Sequence, residues 1–379
     1  MEGAGEITFN YQPETWDQER FLSLGGFVVV FLNYNKKEQI RKAVLSALNQ
    51  DFPLLEMLFM DDASTDGSGD MMEEIVRSSS QGGRHKVMVV RNTVNQYITG
   101  QWNIAARLST GNWLGMFCGD DFARPDRVSR MAEIIKRTPS LLGACTAAST
   151  WDVATGKCLG ISKTGQSYFA LGTDSLEMLN ASFCTLGATA FWNRRLFKRP
   201  LPRIPMDDTF LHYRCYLLGR GCPNPVWAYV TDVVSVDYTF GTGVTTSAVR
   251  RKSDTPIQRW LFGVRKRKHF MGKMINPTMH ALIQESREME LPVEYRRYFR
   301  MKEVSTNWDA SGTVMRILKM PSLIYSVCAT GFSRKYLLGT FRWAIKSLIR
   351  EFLGLHLSAL ICVGLLGHKC TRDVNGIKA

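Results

Sequence analysis

The residues able to do chemistry in this 379-residue chain are acids placed where apolar runs stop. Within residues 111–127, GNWLGMFCGDDFARPDR, the run 113–118 gives way to two adjacent carboxylates, Asp120 and Asp121. A second run, 55–60, ends in Asp61-Asp62, and another, 27–32, ends in Asn33-Tyr34-Asn35. A further pair, Asp207-Asp208, stands at the start of a helical pattern, where the helix dipole favours negative charge. Adjacent acids with no neighbouring base repel each other unless a cation lies between them. The Asp120-Asp121 pair therefore predicts a divalent-metal site serving a phosphorylated ligand. Taken alone, Gly-Asp-Asp also occurs in nucleotide polymerases and in plain turns, while Asp62, Asp207 and Asp208 equally suit helix caps. His212 lies one turn after Asp208, within reach of it on a shared helix face.

Defined elements must hold these residues in place. The runs 27–32, 55–60, 87–90 and 113–118 read as buried strands bounded by turn residues. Between them, 36–49 repeats Ile40, Val44, Leu45 and Leu48 at helical spacing. The Ser/Thr/Asp cluster after Asp62 caps a helix over 71–77, and 96–108 reads as a third helix. Strand and helix alternate with short connections, which predicts an α/β, doubly wound, mostly parallel sheet flanked by helices. Ligands of such sheets bind outside the carboxyl ends of the strands, where these acids fall. Neither GxGxxG nor GxxxxGK[ST] is present, so a diphosphate held through a metal is expected rather than one held by backbone N–H groups alone. Beyond 137 the pattern is irregular: 141–149, 185–191 and 226–238 read as strands, and the loop-rich stretch 160–182 is a candidate acceptor-binding wall.

The segment FVVVFLNYNKKEQIRKAVLSALNQDFPLLEMLFMDDASTDGS resembles the nucleotide-binding half of family 2 glycosyltransferases, which have the GT-A fold. In that family the opening strand ends in Tyr-Asn, the first helix in Leu-Asn-Gln and the second strand in Asp-Asp-x-Ser-x-Asp. GNWLGMFCGDDFARPDR is similar to the family's Gly-x-aromatic strand, Asp-x-Asp region and Pro-Asp-Arg helix start. The likeness holds in close register over 25–137 and more loosely as far as 245. It implies inverting transfer of a sugar from a nucleotide-sugar donor, a UDP-sugar foremost, to a saccharide or lipid-linked acceptor in polysaccharide biosynthesis. By register, Asp62 would accept a hydrogen bond from the nucleobase edge, and Asn33 and Tyr34 would line the base and ribose pocket. Asp120 would bind a Mg2+ or Mn2+ ion bridging the diphosphate, with Asp121 in support. The stretch starting at Asp207-Asp208 resembles the family's Glu-Asp-x-x-Leu segment, which makes Asp208 the implied general base. Cys118 departs from the pattern, because many members carry the first Asp of Asp-x-Asp there; fewer hard oxygen ligands remain for the ion. Gly241 and Gly243 fall where the family can close a segment over the donor phosphates. Gln258-Arg259-Trp260 has the wrong spacing for the Gln-x-x-Arg-Trp motif of processive members.

The net charge of +14 is unevenly placed. Up to Val249, 24 Lys and Arg face 25 Asp and Glu; beyond it, 24 face 9. The expected division is an N-terminal extension over 1–24, a GT-A glycosyltransferase domain over 25–249, and a basic, mainly helical region over 250–379. In that region Arg265-Lys266-Arg267-Lys268 cluster, 294–302 sets aromatics among arginines, and 335–367 joins a basic amphipathic pattern to an apolar one. The apolar part is shorter than the roughly 20 residues that cross a bilayer. This combination suits an anionic membrane surface, and a helix packed on the catalytic domain explains it equally. Nucleic-acid binding, the other use of such charge, lacks a recognisable groove-reading or stacking motif. A nucleotidyltransferase would require neither the Asp62 motif nor the Asp208 helix. The 9 cysteines contain no CxxC pair and the 6 histidines no HxxxH or HExxH pair, which favours free thiols over disulfides or zinc. The first twenty residues have no basic n-region leading into an apolar core, so a cytoplasmic protein, peripheral on the inner face of a membrane, is expected.

Overall fold

A computed structural model of the chain describes residues 5–162, 186–220, 226–240, 270–310, 319–328, 342 and 344. They divide into two compact units. The larger holds the described residues up to 203 and from 207 to 240; the smaller holds 204–206 and those from 270 onward.

In the larger unit, β1 (Glu6–Tyr11) and α1 (Gln18–Ser23) precede a run of alternating elements. These are β2 (Phe27–Asn33), α2 (Ile40–Leu48), β3 (Glu56–Asp61), α3 (Ser68–Ser80), β4 (Lys86–Arg91), α4 (Tyr97–Leu108) and β5 (Trp113–Cys118). The strands β4-β3-β2-β5 lie side by side and parallel, as the strand–helix alternation predicts. Every residue of β2 and β3 is buried, the signature of a sheet covered on both faces, which is why these runs are apolar without alternation. Ile40, Ala43, Val44 and Ala47 of α2 pack with Met72, Ile75 and Val76 of α3 over one face.

The remainder of the sheet is mixed rather than a continuation of the parallel order. After β6 (Phe122–Ala123) and α5 (Arg127–Arg137) come β7 (Gly143–Asp152), β8 (Cys158–Ser162), β9 (Phe191–Asn193), α6 (Asp207–Leu218) and β10 (Trp227–Phe240). The short β9 runs antiparallel between β5 and β7, and β10 pairs parallel with β7 but antiparallel with β6. At the other edge β1 adds antiparallel to β4, in a segment whose half-exposed pattern carries no readable periodicity. The strand expected over 185–191 is instead a single 3-10 turn, Gly187–Thr189, leading into β9. Gly115 makes this possible, because a Cβ there would meet the Phe191 ring at 2.4 Å. Trp192 of β9 in turn stacks on Trp227 of β10, centroids 5.1 Å apart.

At the amino ends of the strands the buried Glu56 carboxylate accepts from Thr110 N (2.7 Å) and Gly111 N (3.0 Å) and pairs with Lys86 at 3.2 Å. This edge of the sheet is closed by structural polar contacts, which leaves the carboxyl ends for ligands.

The smaller unit contains α7 (Asn276–Glu288), α8 (Val293–Ala310) and α9 (Met320–Cys328), preceded by a π turn over Phe270–Ile275. Of the aromatics set among arginines over 294–302, Tyr298 and Phe299 are fully buried. They are packing residues and no surface for stacking bases. Among the described residues no helix is long and apolar enough to cross a membrane. The stretch 163–182, Gly241, Gly243, Gln258–Trp260, the Arg265–Lys268 cluster and nearly all of 335–367 lie outside the described residues.

Candidate active site

Register places the sequence-marked residues at one edge of the parallel sheet. Asn33 is level with Asp61, and Leu32 with Cys118. The polar chain leaving each strand then folds back on its neighbours.

Asn33 is turned inward rather than lining a pocket. It is 1% exposed, and its Nδ2 donates to Asp61 Oδ1 (2.7 Å), Ser68 Oγ (3.0 Å) and Ser64 Oγ (3.3 Å). The loops after β2 and β3 are laced further by Thr65 N to Asn35 Oδ1 (2.8 Å) and Lys37 N to Asp66 Oδ2 (3.0 Å). Asn33 therefore aligns two loops, whereas Tyr34, next in sequence, is exposed. Gly119 is required beside this network, since a Cβ there would sit 2.8 Å from Asn33 Oδ1.

Asp62 is buried, and it accepts three hydrogen bonds from the chain. Its Oδ1 takes Asn92 Nδ2 (2.9 Å) and Gln96 N (2.7 Å), and its Oδ2 takes Tyr97 N (3.0 Å). The cap reading of Asp62 is thus met, but at the start of α4 rather than of the helix that follows it in sequence. Burial raises its carboxyl above the ordinary range, and these donors draw it part of the way back. An ionised carboxylate has about four acceptor positions, so one remains for a ligand edge.

The acid pair is not bare. Lys36 Nζ lies 2.7 Å from Asp120 Oδ2, a base the local sequence around the pair does not contain. Thr239, near the end of β10, donates its N–H to Asp121 Oδ1 (3.0 Å) and its hydroxyl to the Asp120 carbonyl. Burial, and then the charge of Asp120, push the Asp121 carboxyl up to about 8. Cys118 Sγ completes a group with one oxygen from each acid, all within 4.8 Å of one another. Burial, and then the two acids, hold its thiol well above the usual range. In number and spacing these three donors fit one divalent ion; in chemistry they offer two hard oxygens and one soft sulfur.

Asp207 and Asp208 open α6 as expected. The Trp102 indole N–H donates to Asp207 Oδ2 at 2.8 Å, so Asp207 is an anchored, buried acid. Asp208 keeps part of its surface open while surrounded by protein. Burial, and then the neighbouring Asp207, push its carboxyl up to about 7. It lies beside the turn Gly187–Thr189, where a Cβ on Gly187 would come within 3.3 Å of Asp208 Oδ2. Arg127 joins that turn to the acid pair. Its guanidinium donates to Ala188 O (3.0 Å) and Met116 O (2.5 Å) and stacks 4.0 Å over the Phe117 ring, next to Cys118. The negative charge of Asp207 is also felt at Cys118. His212 does not serve Asp208. It is packed edge-on against Trp227 (4.8 Å) and Tyr216 (5.1 Å), and burial drives its imidazole down to about 3.

Lys36, Trp102, Arg127 and Thr239 all shape this site, and none was marked by sequence as part of it. Arg127 falls in a helix-start motif, Lys36 in the family-like segment and Thr239 just before the two glycines, but their types and spacing assign none of them a partner in the site.

Residues 28–194 match the family described as glycosyl transferase family 2. Over this stretch, under half of its length, the chain is similar to family 2 glycosyltransferases. Curated relatives include an uncharacterized glycosyltransferase of Haemophilus influenzae, 26% identical over 113 residues, covering 30% of this chain and 35% of the relative. Another is the Escherichia coli UDP-Glc:alpha-D-GlcNAc-diphosphoundecaprenol beta-1,3-glucosyltransferase WfaP, 24% identical over 108 residues, covering 28% of this chain and 40% of the relative. The chain thus spans well under half the length of these relatives. Among solved structures it is similar to Staphylococcus aureus TarS 1-349 in complex with UDP-GlcNAc. That likeness has a TM-score of 0.49 and 15% identity, and covers 87% of this chain and 92% of the other.

Proposed function

We propose that this chain is an inverting glycosyltransferase that moves a sugar from a nucleoside-diphosphate donor onto a hydroxyl of a saccharide or lipid-linked acceptor. The observation that carries the reading is Asp208, a half-buried acid with a proton affinity near neutrality, beside the turn that Arg127 ties to the strand leading into the acid pair. A general base works best when its pKa lies near the operating pH. The acceptor oxygen attacks the anomeric carbon and its proton passes to the Asp208 carboxylate. The bond from that carbon to the diphosphate oxygen breaks, and the nucleoside diphosphate leaves with the electron pair. Attack from the side opposite the leaving group inverts the carbon.

Asp62 supports nucleobase recognition through its remaining acceptor position. Cys118, Asp120 and Asp121 are the residues that would hold a divalent cation, Mg2+ or Mn2+, whose chemistry is to neutralise charge on the departing diphosphate. The WfaP name specifies a UDP-Glc donor and a diphosphoundecaprenol-linked acceptor, which supports a UDP-sugar and a lipid-linked saccharide here.

The test is nucleoside-diphosphate release from UDP-, GDP- and dTDP-sugars, with Mn2+ and with chelator, alongside thermal stabilisation by each donor. Release from one donor class, enhanced by metal, is expected. Neither release nor stabilisation with any donor would end the proposal.

A further inference from the structure

The loop from β4 into α4 holds an aromatic residue with no part in the chemistry above. Tyr97 is the first residue of α4, and its backbone lies at φ 60°. That left-handed conformation is an outlier for a bulky side chain and persists only where surrounding contacts over-determine it. They do so here: the Tyr97 N–H is held by Asp62 Oδ2 at 3.0 Å and by Asn95 Oδ1 at 2.9 Å. The strain is not offset by burying the ring, because Tyr97 is 54% exposed. Instead the guanidinium of Arg203, itself exposed, lies 4.3 Å from the ring centre. Glycine would take this backbone without strain. A solvent-facing aromatic retained in its place, braced on one face by a cation and tied by its own amide to Asp62, calls for a ligand.

We propose that the Tyr97 ring, backed by Arg203, is the stacking surface for the planar base of the nucleotide donor. This rests on the glycosyl-transfer reading, in which Asp62 meets the edge of the same base. Tyr97 would cover its face. Stacking on an aromatic ring tolerates any base, so it contributes affinity while the acid reads the edge. The guanidinium holds the ring by a cation–π contact, and more than half of the residue remains exposed for a ligand.

Calorimetric titration of UDP and of inorganic pyrophosphate into the wild type, Tyr97→Gly, Tyr97→Phe and Tyr97→Leu tests this, with Tm measured for each. Tyr97→Gly is expected to raise Tm through relief of the left-handed strain, yet to weaken UDP about tenfold. Its pyrophosphate affinity should not change. Tyr97→Phe should bind UDP as the wild type does, and Tyr97→Leu, of similar bulk but without a π face, should lose affinity as Gly does. Should Tyr97→Gly fail to fold, the comparison of Phe with Leu decides. Unchanged UDP affinity in a folded Gly or Leu variant overturns the stacking role, and so does an equal loss for pyrophosphate, which would assign the contact to phosphate. A wild type that binds none of UDP, GDP and dTDP, titrated in turn, removes the glycosyl-transfer reading and this proposal together; nucleoside-diphosphate binding that ignores Tyr97 removes this proposal alone.

Discussion

Asp208 and Asp207 are adjacent, yet their surroundings give them different work. Asp207 is buried and bonded to the Trp102 indole, so it fixes the start of α6. Asp208 is partly open and raised to about 7, which suits the proposed role of proton acceptor. Asp208→Asn is expected to lower transfer by about 10²- to 10⁴-fold while nucleotide affinity is retained. The wild-type rate should fall as pH drops below about 7, where this carboxyl takes up its proton. Undiminished turnover in Asp208→Asn would remove it as base. His212 carries an opposite signature, in stability. Its imidazole is lowered from 6.5 to about 3 by burial, so below 6.5 the unfolded chain binds a proton that the folded chain does not. Stability from this group is present above about 6.5 and is lost as pH falls toward 3. His212→Phe should therefore lose less stability to acid than the wild type, by urea unfolding at pH 7 and pH 4.5. Parallel losses in the two proteins would contradict the burial argument.

Among the elements, the join between β5 and the turn before β9 depends on Arg127. A buried guanidinium that bonds two backbone carbonyls and lies on Phe117 leaves both carbonyls unsatisfied when removed. Both bonds come from one guanidinium nitrogen while the planar group lies over Phe117, and lysine lacks that planar, stacked head. Arg127→Lys is expected to destabilise the fold by about 1–3 kcal/mol, measured by urea denaturation. An unchanged midpoint would mean that the turn is held by other contacts. The same join explains why the run 185–191 reads as a strand but is not one. Gly187 must approach Asp208, and the chain curls into a turn there before β9 can pair with β5 at Gly115.

For the molecule as a whole, the net charge and the candidate site lie in different parts of the chain. The acids belong to the larger unit, and the excess of Lys and Arg begins after Val249. Cations attracted to an anionic leaflet contribute about 1 kcal/mol each near the surface. Flotation with liposomes containing anionic lipid, weakened by salt, is the expected outcome; protein that stays at the bottom at low salt would exclude a membrane role for that charge. The parallel core was legible in sequence, because short-range periodicity and turn residues dictate β2 to β5 and their helices. So was the edge on which Asp62 and Asp120 both fall, since strand ends follow from the same pattern. What tertiary structure alone decided is how those acids are partnered. Lys36 reaches Asp120 from another loop, and Thr239 reaches Asp121 across 118 residues. Asn33 turns inward, and Tyr97 is held in a conformation its residue type disfavours. Periodicity reports which side of an element is apolar, but a carboxylate's partners and proton affinity depend on atoms that only folding brings within a few ångströms.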